Sequence, residues 1–344
     1  MGDSDNIERR LKLHDLRVLM CVAQAGSMLK AARRLNTSQP AISRSIAELE
    51  HALGVRLLDR SRQGVEPTIY GRVLLDGAAA VFDDLSQAVK NVEFLADPTE
   101  GELRIGCDFP YAAGMLPKTI SRFRRQFSRI DLHVKPLFEV SHQYRALRER
   151  SCELNFGRLE PPVERDLEVE VLFQDELVVV AGSNNPWARR RKLKLADLEG
   201  EQWLLPTLDT VTGPLIAQAF QASGLNFRPK GVTTGFALLQ TNSLVASGDF
   251  LAFFPSSLLR VGTLGLGLKA LPVSLPIPRS SYGIMRLKNR ALSRLAQLFI
   301  ECAREVVKPL AQGNFEPVSV NNKQVSGRFQ DAKTEIGKIR QRPS

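Results

Sequence analysis

Chemistry-bearing residues are sparse in this chain. The four cysteines, Cys21, Cys107, Cys152 and Cys302, are scattered and form no C-x-x-C pair. They read as free thiols of a reducing compartment rather than as a disulfide framework. The histidines are equally few, and none of His14, His51, His133 and His142 has another His or Cys at a metal-ligand spacing. No metal is expected. The chain also lacks a G-x-x-x-x-G-K-[ST] loop, a G-x-S-x-G elbow and a Gly-rich dinucleotide turn. Leu264-Gly265-Leu266-Gly267 is a lone glycine pair and reads as loop. Nothing here nominates a catalytic residue or a cofactor, and the expectation is that the protein is not an enzyme. No segment approaches the ~18 continuous apolar residues needed to span a bilayer. Met1 to Leu11 lacks the apolar core of a signal peptide, so the expected location is cytoplasmic.

Positive charge, by contrast, is in excess. With 47 Lys and Arg against 37 Asp and Glu, the formal net charge is +10 and the pI about 9.7. That balance suits a polyanionic partner, and it gains weight where the bases concentrate in a credible motif. Between Lys12 and Arg72 the bases outnumber the acids two to one. The length, 344 residues, is enough for two or three domains of ordinary globular composition.

The stretch from Ser27 to Arg62 organises the rest. Ser27 is placed to N-cap a helix from Met28 to Leu35, and Asn36 suits a left-handed cap. Thr37 and Ser38 offer a second N-cap, Pro40 falls in the first turn of the next helix, and Gly54 is a natural stop after Leu53. In that second helix Ile42, Ile46, Leu49 and Leu53 recur at four, three and four, one buried stripe. Pro40, Ser43, Arg44 and Ala47 point away from the stripe. Such a small, hydrogen-bonding face with one arginine fits a DNA major groove. A helix pair alone would read equally well as an αα-hairpin with a solvated outer face. The residues after Gly54 tip the balance: Leu57 to Arg60 and Val65 to Thr68 flank Ser61-Arg62-Gln63-Gly64, a hairpin with Arg60 and Arg62 near its tip.

This run closely resembles the DNA-binding domain of LysR-type transcriptional regulators. The resemblance is carried, long and ungapped, by Ala31-Ala32-Arg33-Arg34-Leu35-Asn36-Thr37-Ser38-Gln39-Pro40-Ala41-Ile42-Ser43-Arg44-Ser45-Ile46, then Leu49-Glu50, Leu53-Gly54 and Leu57-Leu58-Asp59-Arg60. It implies a sequence-specific transcription factor controlled by a small-molecule effector. The DNA-binding residues are then Ser38, Gln39, Pro40, Ser43 and Arg44, with Arg60 and Arg62 on phosphate or the minor groove. Some members of the family sense peroxide through a thiol pair. Cys107 and Cys152 make that the alternative reading, although such sensors place their cysteines close together in one segment.

The expected architecture is α/β with an N-terminal all-α winged helix-turn-helix domain over residues 11–69. Next come a coiled-coil linker helix (70–97), a two-lobed α/β effector-binding domain (101–310) and a disordered tail (311–344). In the linker, Leu74, Ala78, Val81, Leu85, Ala88, Val92 and Leu95 alternate spacings of four and three, an a/d seam. Leu74, Val81, Leu85 and Val92 are thus the expected dimer contacts, and the resemblance adds assembly into a homodimer or homotetramer on double-stranded DNA. Pro98 and Gly101 end the helix. Beyond them the pattern alternates: strands at Leu103–Gly106, Leu132–Leu137, Leu154–Gly157, Glu176–Ala181, Trp203–Leu205, Gly231–Thr233 and Phe250–Phe254, and helices at Met115–Phe127, Tyr144–Arg150 and Leu292–Val307. Alternation of this kind predicts mostly parallel sheets. The resemblance implies a two-lobed domain similar to a periplasmic binding protein. Where many relatives carry Asp, this chain has Asn155, so no charge-dependent role is expected there. Ligands of such domains sit beyond the carboxyl ends of strands and at helix N-termini. That rule selects Asp108, Tyr111, Ser141, Arg158, Thr207 and Thr234, for a small organic acid or other polar metabolite.

Overall fold

The computed structural model describes residues 11–61, 64–137, 139–210, 212–225, 231–233, 243–261 and 267–311. They form two compact units. One runs to Gly101 and also takes in Asn289–Leu295; the other comprises Glu102–Lys288 and the chain from Ala296 on.

The N-terminal unit begins with α1 (Leu13–Ala25), α2 (Met28–Arg34) and α3 (Gln39–Leu53), then the hairpin β1 (Leu58–Ser61) and β2 (Gly64–Pro67), then α4 (Ile69–Ala96). The predicted helix ends are observed. Asn36 has φ 50° and Gly54 φ 68°, both left-handed. Ser38 Oγ accepts the Ala41 N–H at 3.3 Å and Thr68 Oγ1 the Gly71 N–H at 3.0 Å. Ser27 is extended but makes no side-chain cap. Ile42, Ile46 and Leu49 are buried, and they meet Leu16, Leu19, Val22, Ala31 and Leu57 in one core. Polar clasps tie the helices and the wing of this unit together. Ser45 Oγ donates to Asp15 at 2.5 Å, both nearly buried, and so joins α3 to α1. Glu50 Oε1 accepts the N–H groups of Leu57 (2.8 Å) and Leu58 (3.2 Å), which fixes where the wing leaves α3.

Helix α4 differs from the heptad expectation at its start. Leu74 is half-buried and packs, with Leu75, Ala78 and Phe82, into the core of its own domain. The first turns of α4 are a wall of the winged domain, so Leu74 is spent there. Of the expected seam contacts, Val81, Leu85 and Val92 are exposed, at 45, 47 and 66%, as is Leu95 of the same heptad series at 79%.

The second unit has two lobes. Lobe I contains β3 (Gly101–Cys107), α5 (Phe109–Ala113), α6 (Met115–Gln126), β4 (Ile130–Pro136), α7 (Val140–Arg148), β5 (Leu154–Leu159) and β6 (Leu167–Asp175). The chain then crosses to lobe II: β7 (Leu177–Gly182), β8 (Trp203–Leu205), α8 (Thr212–Ala222), β9 (Gly231–Thr233), β10 (Leu251–Pro255), α9 (Ser256–Val261) and β11 (Leu268–Ala270). It returns to lobe I as β12 (Ser280–Leu287) and α10 (Arg294–Ala311). The sheet orders are β4-β3-β5-β12-β6 and β11-β7-β10-β8-β9. Both sheets are mixed rather than mostly parallel: β12 runs antiparallel to β5 and β6, and β7 antiparallel to β10 and β11. Sequence reading missed β12 and β6. Ser280-Ser281-Tyr282-Gly283 gives β12 neither an apolar run nor a clean alternation, yet the strand is internal, paired with β5 on one side and β6 on the other. Gly283 is required there, because a Cβ would fall 1.9 Å from the Glu170 carbonyl oxygen. Phe299 of α10 packs edge-on to Phe123 and Phe156, with centroids at 5.2 and 5.7 Å, so the last helix completes the core of lobe I.

Candidate functional site

Two sites emerge, one in each unit. In the first, α3 presents its N-terminal turn to solvent. Gln39, Pro40 and Arg44 are exposed and Ser43 is half-buried. Ser38 lies at the same end, with its hydroxyl committed to the cap. Among the described residues Arg33, Arg34, Arg44, Arg56 and Arg60 make no ion pair, so this surface carries uncompensated positive charge. The Val65 N–H donates to the Gly26 carbonyl at 3.0 Å and anchors the wing to the α1–α2 corner. Arg60 therefore stands on a braced strand. Arg62, at the expected tip, lies outside the described residues.

The second site is where β3, β5 and the lobe crossing converge. Asp108 follows β3, is 6% exposed, and caps α5 by accepting the Tyr111 N–H at 2.9 Å. Its other oxygen accepts the Arg158 N–H at 2.9 Å, so one carboxylate ties the start of α5 to β5. Gly157 makes room for this: a Cβ there would lie 3.0 Å from both the Asp108 carboxyl and Gln143 Oε1. Arg158 directs its side chain toward Glu160, 3.9 Å away. Asp108 and Arg158 are thus brought together. Tyr111 is joined to them only through its backbone, for its ring is 1% exposed and stacks on Phe156 at 4.7 Å inside lobe I. Ser141 is exposed in the first turn of α7, where it donates to Glu139 at 3.2 Å. Thr207 follows β8 and is half-buried. Its carbonyl accepts from Thr210, and its hydroxyl makes no hydrogen bond within the described residues. Thr234 lies outside the described residues.

Sequence reading did not find Asp175. It ends β6 at 3% exposure and accepts from Ser256 Oγ (2.7 Å) and from the Ser257 N–H (3.1 Å). One carboxylate thereby pins the crossing to the first turn of α9 in lobe II. The signal lay in Ser256-Ser257 opening a helix just after a strand. Ala113 packs against Val180, Leu204 and Leu258 of lobe II, so α5 stands at the junction of the lobes. Asn155 is fully buried, and its amide donates to the Gln143 carbonyl at 2.6 Å.

Burial pushes Asp108 up to about 6, outweighing its two N–H partners and the Arg158 guanidinium, which pull it down. The folded value therefore lies above the ~4 of an unfolded Asp. The charged form costs stability, and that cost sets in as pH rises from about 4 to 6. Against wild type, Asp108→Asn should gain relative stability over that range by up to about 3 kcal/mol, read from urea unfolding at several pH values. A difference independent of pH would place this carboxyl in its ordinary range.

The thiols behave differently from a sensor pair. Cys107 and Cys152 are both buried, and burial, Asp108 and Cys152 push the Cys107 thiol up to about 12. A thiol held protonated is a poor nucleophile toward peroxide.

A winged helix-turn-helix whose last helix leads into a two-lobed α/β domain defines a class, the two-domain ligand-responsive DNA-binding regulators. Residues 13–72 match the model of the bacterial regulatory helix-turn-helix proteins of the lysR family, and residues 96–308 that of the LysR substrate binding domain. The chain belongs to the LysR family. Among curated relatives it is 27% identical over 304 residues to the transcriptional dual regulator GltC of Bacillus subtilis, covering 88% of this chain and 99% of that one. It is also 27% identical over 308 residues to the uncharacterized regulator YdcI of Escherichia coli, covering 89% and 99%. Among solved structures, a full-length OxyR point variant from Pseudomonas aeruginosa superposes with a TM-score of 0.58 at 21% identity, over 88% of this chain and 96% of that one. That likeness concerns the fold alone.

Proposed function

We propose that this LysR-type regulator reads base edges with Gln39, Pro40, Ser43 and Arg44, on the exposed N-terminal turn that Ser38 caps. Arg60 and Arg62 serve the phosphate backbone. The observation that carries this reading is the unpaired Arg44 on an otherwise small-residue helix face. Guanine O6 and N7 accept the two N–H groups of an arginine fork, and small neighbours let the helix approach the groove floor. The stripe Val81, Leu85, Val92 and Leu95 pairs two chains, so that two recognition helices meet two half-sites. The protein acts in the cytoplasm.

The effector of this reading is a small polar metabolite held between the lobes. Asp108 and Arg158 approach it from lobe I and Thr207 from lobe II, with Ser141 at the rim. Asp108 and Asp175 already accept the Tyr111 and Ser257 N–H groups in the first turns of α5 and α9. Arg158 is the group suited to a ligand carboxylate, and Asp108 to ligand hydroxyl or amine donors. The test is selection of duplexes from random DNA by the full-length protein. The selected sequences should share a partly two-fold motif whose halves lie about one helical turn, or a multiple of it, apart. Recovery of sequences without a shared motif would overturn the reading of α3.

A further inference from the structure

Helix α4 has a second working face. Asp83, Gln87 and Asn91 succeed one another at four-residue spacing with Phe94 three further on, a continuous strip roughly 120° round the helix from the Val81–Leu95 stripe. Residues at that spacing share one side of a helix. The strip is polar yet covered: Gln87 is 4% and Phe94 8% exposed. What covers it includes the short segment Asn289–Leu295, which clusters with the N-terminal unit although the chain on either side of it belongs to the effector domain. Arg290 sends both arms of its guanidinium to Asp83, Nε to Oδ2 at 2.7 Å and Nη2 to Oδ1 at 2.8 Å. The Arg290 side chain is 4% exposed and that of Asp83 14%. One turn of helix beyond Gln87, Asn91 Oδ1 accepts the Arg294 N–H at 2.9 Å and so caps α10.

A two-pronged, nearly dry pair of this kind is the strong form of an ion pair, and removing one partner strands the other charge. Its position in the chain gives it meaning. The segment is entered from β12, hydrogen-bonded on both sides by β5 and β6 of the lobe I sheet, and it leaves into α10, which completes that lobe's core. The segment that packs on the linker helix is thus continuous in the chain with β12 on one side and with α10 on the other.

We propose that Asp83 and Arg290, seconded by Asn91, are positioning residues that clamp this strap to the linker helix and carry the state of lobe I to the DNA-binding unit. The strap is short and fixed at both ends, so a shift of β12 against α10 is delivered to α4 through the clamp rather than absorbed in a loop. The inference rests on the DNA-binding reading but on no assumption about the effector.

Coupling between sites is reciprocal, so DNA serves as the probe without an identified effector. The measurement is backbone hydrogen exchange of the full-length protein with and without a duplex selected by the wild-type protein. In wild type, DNA should slow exchange in α3 and also change it at least threefold in residues 280–297. In Asp83→Asn and in Arg290→Lys, both close in shape to the native residues, protection of α3 should remain while the change at 280–297 disappears. Wild type with α3 protected and residues 280–297 unaffected overturns the clamp, as does a change at 280–297 that persists in both variants. Failure of DNA to protect α3 in wild type would instead overturn the DNA-binding reading.

Discussion

Replacing Arg44 by alanine should lower affinity for the selected duplex by about 5- to 150-fold while changing affinity for random DNA by no more than about threefold. The first figure is the ~1–3 kcal/mol carried by one bidentate contact to a base. The second arises because a single lost cation subtracts one phosphate-scale interaction from nonspecific binding. Arg60→Ala should show the opposite signature. Its loss should weaken selected and random duplexes alike and reduce the slope of log affinity against log salt by about one. The geometry makes the two separable. Arg44 sits one turn into α3, whose position is fixed by the Asp15–Ser45 clasp and the Ile42, Ile46 and Leu49 stripe, so its truncation leaves the scaffold intact. Titrations at three salt concentrations on both duplexes read out both quantities. Equal losses for Arg44→Ala on selected and random DNA would move this arginine to the backbone and leave base reading to Gln39 and Ser43.

The N-terminal unit was legible almost to the residue because its signals are local. Asn36, Ser38, Gly54 and Thr68 each act on backbone groups within a few positions, and the α3 stripe needs only the helical period. The effector domain was legible as a series of elements and much less as a topology. A strand such as β12 owes its place to partners more than a hundred residues away, and Tyr282 and Gly283 say nothing locally about which strands will flank them. The same distance effect governs the cleft. The strand-end rule selected Asp108 as a ligand contact, and the structure places it at the start of α5 as a cap; the rule could not tell that Tyr111, three residues later, turns its ring onto Phe156 and away from solvent. Asp175 went unnoticed because its role depends on Ser256, 81 positions on. The polar strip of α4 is the sharpest instance. Asp83, Gln87 and Asn91 at four-residue spacing look like a solvated helix face. Only the tertiary structure brings Arg290 to them, from 207 positions away.

The largest effect should come from charge placed in the exposed stripe of α4. Val81, Leu85, Val92 and Leu95 are large apolar side chains, 45–79% exposed in the single chain, on a helix whose opposite side is already engaged. Covering such a side chain stabilises by ~1.5–3 kcal/mol when burial is complete. Four from each of two helices yield on the order of 10 kcal/mol, enough to offset the ~4–15 kcal/mol lost in freezing two bodies together only if nearly all of them are covered. The seam should therefore tolerate little damage. Leu85→Asp, which sets two carboxylates against each other and against apolar walls, should convert the oligomer to monomers at micromolar concentration in sedimentation velocity. Affinity for a two-half-site duplex should fall at least 100-fold, toward that of an isolated half-site, because the second contact loses its effective concentration. The winged domain should stay folded, with an unchanged thermal midpoint for its unfolding. Leu74→Asp supplies the contrast. Leu74 belongs to the same heptad series but packs into the core with Ala78 and Phe82, so the aspartate should unfold the winged domain itself rather than simply part the chains. An oligomer that survives Leu85→Asp would mean that the chains meet elsewhere, and that the stripe serves a different surface.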